Sequence, residues 1–106
     1  MDKLKYLQDN LFQGLKNLNT GFDAETICYF SELDFEIVLD RAKNLGIEIM
    51  GIEPWLDGEF YDVATIDDAH QPWPQSAFER FRNTGLNLQY AATYNVPQKL
   101  LGSNKK

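Results

Sequence analysis

The chain has 106 residues and a formal net charge of −6, with 43% hydrophobic and 25% charged residues. This length and balance predict one globular domain and exclude a disordered chain. One cysteine, Cys28, and one histidine, His70, exclude an internal disulfide, a cysteine-based zinc cluster and a multi-histidine metal site. No stretch is long and apolar enough for a signal peptide or a membrane span, so we expect a cytoplasmic protein without membrane contact.

The acidic residues are concentrated in the middle of the sequence. Fourteen of the sixteen acids lie between residues 17 and 79, where Arg41 and Lys43 are the only bases, whereas residues 80–106 contain five bases and no acid. A negative field repels phosphates, so we expect no direct nucleic-acid binding and a basic protein as partner. The alternative is that the charge serves only to keep a small domain soluble.

The first half of the chain predicts a helix, a strand and a second helix. Leucines spaced by three or four residues indicate a helix over 2–18, which Asn19-Thr20-Gly21 would end. The β-branched and aromatic residues of 25–30 indicate a strand. Ser31 as N-cap, acids in the first turn, a periodic apolar face and Gly46 as the terminating glycine indicate a helix over 32–45.

The second half predicts a hairpin, a helix and a last strand. Residues 47–53 and 59–66 indicate strands joined by Asp57-Gly58, a pair that tolerates the positive φ angles of a tight turn. Residues 67–74 indicate a loop, and 75–84 a helix with Pro74 suited to its first turn and Gly85 after its end. Alternating residues over 86–95 indicate a strand whose buried face holds Leu86, Leu88, Tyr90, Ala92 and Tyr94.

This order of elements predicts an α+β fold. After the N-terminal helix it is β-α-β-β-α-β, the ferredoxin-like sandwich with an antiparallel sheet and both later helices on one face. An alternative is a longer curved hairpin with the first helix on the other face of the sheet. We expect a single domain over 1–97 and a mostly flexible basic tail over 98–106.

The sequence contains no motif that predicts catalysis, a cofactor or a metal site. Asp67-Asp68-Ala69-His70 pairs carboxylates with an imidazole, but acids around a loop histidine are usually solvated. Cys28 lies in a predicted strand without a neighbouring base and is interpreted as a small core residue. The glycines are scattered and form no phosphate-binding loop. We therefore expect a protein that is not an enzyme and has no cofactor.

The segment from Glu53 to Pro74 combines carboxylates with aromatic residues and prolines, and no Lys or Arg occurs between Asn44 and Glu79. Rigidly held aromatic residues beside carboxylates are suitable anchors for a partner that supplies Arg and Lys. The alternative is that both tryptophans only cover a small core. The predicted partner-binding residues are Glu53, Trp55, Asp57, Glu59, Asp62, Asp67, Asp68, His70 and Trp73.

The chain resembles the immunity proteins of contact-dependent growth inhibition systems. The resemblance rests on Phe30-Ser31-Glu32-Leu33-Asp34-Phe35, on Ile52-Glu53-Pro54-Trp55 and on the acidic hairpin that follows. It implies a compact inhibitor that binds and neutralises a basic toxin domain, in particular a nuclease. These immunity families share no common motif, so the resemblance assigns no site residue.

Two other classes of function stay open. The first is a regulatory or dimerisation module of ferredoxin-like fold that binds a small molecule on its sheet, where Gly51, Tyr90 and Tyr94 could line a pocket. The second is a small enzyme that uses His70 and an acid.

Overall fold

The computed structural model describes residues 2–66 and 73–102. Its elements in chain order are α1 (Lys3–Asn10), α2 (Glu32–Leu45), β1 (Glu48–Leu56), β2 (Glu59–Phe60), β3 (Ala64–Thr65), α3 (Gln75–Arg82), β4 (Gln89–Asn95) and a 3-10 helix (Gln98–Leu101). Three α-helices and a four-stranded antiparallel open sheet confirm the predicted α+β class. Over the described ranges, no helix is long and apolar enough to cross a membrane.

The sheet is built around β1. β4 pairs with one edge of β1, and the two short strands β2 and β3 pair with the other edge. The turn between β1 and β2 is Asp57-Gly58, with φ angles of 52° and 81°, as the sequence predicted. The register with β4 shifts between Ile49 and Gly51, which leaves Met50 as the extra residue of a bulge.

α2 and α3 cover one face of the sheet. Phe35 of α2 stacks on Tyr90 of β4 at 5.1 Å between ring centroids, and Phe78 of α3 meets the same ring edge-on at 5.2 Å. α2 spans the predicted residues, with the Ser31 hydroxyl accepting the Asp34 N–H and Gly46 at φ 77°. Because neighbouring residues of a strand face opposite sides, Gly51 and Glu53 of β1 face away from these helices.

The ferredoxin-like order is not confirmed, because residues 25–30 form no strand. Among the described residues this segment contributes one isolated bridge, in which Phe30 and Tyr90 exchange hydrogen bonds of 2.8 and 2.9 Å. The backbone groups of Tyr29 bond instead to the segment that follows α1, since its N–H donates to Asn17 Oδ1 and its carbonyl accepts the Leu18 N–H. The segment therefore lies along the edge of β4 without joining the ladder.

The first helix is shorter than predicted. α1 ends at Asn10, and the chain then turns through Gly14 at φ 80°. The leucine spacing was misleading because Leu15 packs against the core from a non-helical segment. Arg41 of α2 stabilises this segment, since its Nη1 donates to the carbonyls of Leu11 at 3.0 Å and Gln13 at 2.8 Å.

Several other elements are also shorter than predicted, whereas β1 extends beyond its predicted end at Glu53 to Leu56. The strand expected over 59–66 is interrupted between β2 and β3, where the Tyr61 and Asp62 N–H groups both approach the Pro54 carbonyl. The helix expected over 75–84 ends at Arg82, and the strand expected over 86–95 begins at Gln89, with Leu86 exposed rather than buried. Beyond β4, Leu100 and Leu101 are partly buried against the core.

Candidate functional site

The turn end of the β1–β2 hairpin brings together four of the predicted acids. We name Glu53, Asp57, Glu59 and Asp62 the acidic hairpin surface. Asp57, Glu59 and Asp62 are exposed, and within the described residues none of the four forms an ion pair. Their geometry leaves carboxylate oxygens available to cations from outside the chain.

The acids of α2 differ from those of the hairpin. Arg82 of α3 lies 3.5 Å from Glu32, 3.3 Å from Glu36 and 3.8 Å from Glu79, measured between nitrogen and oxygen. One guanidinium therefore lies close to three carboxylates and offsets one of their negative charges. The hairpin carboxylates have no comparable cation among the described residues.

Trp55 lies beside the acidic hairpin surface in an aromatic cluster. Its ring lies 5.5 Å from Phe22, 5.4 Å from Tyr29 and 6.4 Å from Phe60 between centroids. Its indole Nε1 donates to Glu53 Oε2 at 2.6 Å, so the carboxylate and the ring hold each other in place. Trp55 is half-buried, whereas 57% of Phe60 and 39% of Tyr61 are exposed.

Trp73 is placed differently from Trp55. Its indole Nε1 donates to the Ile49 carbonyl, and its ring packs against the core. These contacts support the interpretation that Trp73 covers the core. The predicted residues Asp67, Asp68 and His70 lie outside the described residues.

Sequence reasoning missed part of this surface. Phe60 and Tyr61 belong to the aromatic segment 53–74 but not to the predicted partner-binding residues, yet both expose aromatic surface next to the carboxylates. Phe22 was not singled out, although its Cβ lies 3.5 Å from where a Cβ on Gly58 would stand. The density of aromatic residues between Trp55 and Tyr61 was the signal that could have identified the exposed pair.

A cavity of about 620 Å³ opens on the face of the sheet opposite α2 and α3. The strands contribute Gly51, Glu53, Ala91 and Thr93, and the segment before α2 contributes a wall from Asp23 to Tyr29. Gly51 and Tyr94 line it, as the small-molecule alternative expected, but Tyr90 does not, because its ring is packed between Phe35 and Phe78 on the other face.

Burial raises the pKa of several groups near the cavity. The pKa of Tyr29 is raised by burial, by the hydrogen bond from its hydroxyl to Asp23 Oδ2, and by the charges of Asp23 and Glu53. Burial, and then the nearby Cys28, raises the pKa of Tyr94. Burial also raises the pKa of the Cys28 thiol, so nothing activates it as a nucleophile.

The described residues contain no group of three or more His, Cys, Asp or Glu side chains arranged to hold a metal ion. Comparison of the chain with protein-family models, with curated proteins and with solved structures gives no match.

Proposed function

We propose that this protein binds a basic protein partner through the acidic hairpin surface and acts as an immunity protein that neutralises a toxin domain, with a nuclease as the expected partner. The observation that carries the proposal is the contrast in pairing: the hairpin carboxylates have no described cation partner, whereas Glu32 and Glu36 of α2 share the Arg82 guanidinium. A nuclease surface that binds phosphates presents the Lys and Arg side chains that would pair with these carboxylates.

The aromatic side chains of this surface supply apolar area that stabilises a complex with the partner. Phe60 and Tyr61 project apolar area beside the acids, and Trp55 stands behind Phe60 in the cluster. Interfaces derive most of their binding energy from a few desolvated aromatic and Arg residues, while peripheral charges accelerate association. The hairpin therefore carries both the carboxylates that accelerate association and the aromatic side chains that stabilise the formed complex.

The proposal is tested by co-expressing this chain with the protein encoded directly upstream of its gene and measuring growth. We expect the wild-type chain to restore growth and the double variant Asp57→Lys/Glu59→Lys to lose protection. The matched control is Asp40→Lys/Glu48→Lys, which changes the net charge by the same amount at two exposed acids away from the hairpin. The control is expected to protect like the wild type.

Different outcomes of this experiment test the assigned binding surface and the immunity function. Loss of protection in the control but not in the hairpin variant would place the contact near α2. Failure of the wild-type chain both to protect and to bind the upstream protein would refute the immunity proposal.

A further inference from the structure

The cavity on the open face of the sheet has one acidic end. Asp23 and Glu53 line it, and both charges act on the Tyr29 hydroxyl, so the two carboxylates lie near the same point of the wall. Asp23 already accepts two hydrogen bonds, from the Tyr29 hydroxyl and from the Ala24 N–H, and Glu53 accepts one from the Trp55 indole. Each carboxylate accepts more than one bond, and no described Lys or Arg lies within 4 Å of either.

The remainder of the wall is mainly apolar. Side chains of α1, of the segment between α1 and α2, of β1 and of the residue before β3 contribute Leu4, Leu7, Phe12, Ile27, Met50 and Val63. Ile27, Met50 and Val63 are among the large hydrophobic residues that the chain leaves exposed. A concave apolar surface with a few polar groups at one end is the usual form of a small-molecule site.

A second, independent observation also indicates a ligand. Tyr94 lines the cavity with 7% of its surface exposed, and its hydroxyl has no hydrogen-bond partner among the described residues. A buried hydroxyl without a partner is costly, so such groups usually bond to water or to a ligand. The cavity therefore combines two carboxylates with spare acceptor capacity and a lining residue, Tyr94, whose hydroxyl has no partner among the described residues.

We propose that this cavity binds a small amphiphilic cation, a primary ammonium on an apolar body. The ammonium would lie between Asp23 and Glu53, and the apolar body along Met50 and Val63. Lys3, which also lines the cavity, is exposed at the start of α1 and forms no ion pair with Asp23 or Glu53. This proposal does not depend on the proposed function, because it concerns the isolated chain and requires no protein partner.

Three probes with the same eight-carbon chain test the charge preference: octylamine, octanol and octanoate. Binding to the isotope-labelled chain is followed by amide chemical shifts, which also identify the residues contacted. Charge-assisted hydrogen bonds to two carboxylates predict that octylamine binds about tenfold more tightly than octanol. Octanoate is expected to bind more weakly than octanol. Equal affinities for octylamine and octanol, or a preference for octanoate, would overturn the proposal.

Amide variants locate the site by removing one charge each. Glu53→Gln keeps an oxygen that accepts from the Trp55 indole, and Asp23→Asn keeps one oxygen to accept from the Tyr29 hydroxyl or the Ala24 N–H. Each should reduce octylamine affinity toward that of octanol and leave octanol binding unchanged. The control Asp57→Asn removes one charge outside the cavity and should bind octylamine like the wild type. A loss of affinity in this control equal to that in the cavity variants would contradict the assigned site.

A filling variant provides a test that does not rely on charge. Thr93 is exposed on β4 and lines the cavity, so Thr93→Phe places a ring there at a strand position that tolerates aromatic residues. It should weaken both octylamine and octanol. If both still bind with unchanged affinity, the ligand occupies another surface and the proposal is wrong.

Discussion

Asn19 is expected to hold the segment between α1 and α2, which forms one wall of the cavity. Its Nδ2 donates to the carbonyls of Ala24 and Ile27, both at 2.9 Å, and to that of Asp23 at 3.3 Å. Asn19→Asp removes these donors and places a carboxylate against carbonyl oxygens. Two well-formed hydrogen bonds at about 1 kcal/mol each predict a loss of roughly 2 kcal/mol in the free energy of unfolding.

Urea unfolding measures this loss, and Asn17 provides the matched control. Asn17 Oδ1 accepts the N–H groups of Asn19 at 3.0 Å and Tyr29 at 2.9 Å, so Asn17→Asp keeps its acceptor role. With a denaturant slope of about 2 kcal/mol per molar, Asn19→Asp should lower the midpoint by about 1 M. Asn17→Asp should leave it nearly unchanged. Equal midpoints for the two variants would refute the assigned roles.

Three further predictions concern Tyr90, Gly46 and His70. The Tyr90 hydroxyl is buried without a described partner, so Tyr90→Phe should leave the free energy of unfolding unchanged or raise it by up to about 1 kcal/mol in urea titrations. Burial first, and then the Glu32 charge, raises the pKa of Tyr90 to about 12, whereas the tyrosine of the unfolded chain titrates near pH 10. The free energy of unfolding should therefore fall as the pH rises from 10 toward 12. This fall should be less steep in Tyr90→Phe. Gly46→Ala places a side chain at φ 77° and should cost about 1 kcal/mol, measured by thermal unfolding. His70→Ala should leave protection in the growth assay within a few-fold; its abolition in a folded variant that still binds the partner would favour the enzyme alternative.

The sequence predicted the helix ends and the turn that depend on residues close together along the chain. Ser31 and Gly46 determine the two ends of α2, because an N-cap residue and a left-handed terminal residue each act within one turn of the helix. Asp57 and Gly58 similarly form the hairpin turn because both adopt positive φ.

The errors arose where backbone groups bond to partners far along the chain. Residues 25–30 have strand-like side chains, but the N–H of Tyr29 bonds to Asn17 and its carbonyl to Leu18, which no period-2 pattern shows. The cavity wall includes this segment together with Asp23. Because residues 25–30 were expected to form a strand, the sequence did not predict the cavity or its acidic end. The four acids of the acidic hairpin surface lie close together in the sequence around one turn, so their position on the hairpin followed from the predicted Asp57-Gly58 turn.

The most direct test of the proposed function is the association rate with the protein encoded directly upstream, measured by stopped flow over a range of salt concentrations. If the acidic hairpin surface steers the encounter, the wild-type rate falls steeply with added salt, and Asp57→Lys/Glu59→Lys lowers the rate about tenfold and flattens this dependence. Asp40→Lys/Glu48→Lys should keep most of the wild-type rate and slope. A hairpin variant that associates as fast as the wild type, with the same salt dependence, would contradict the proposed binding surface.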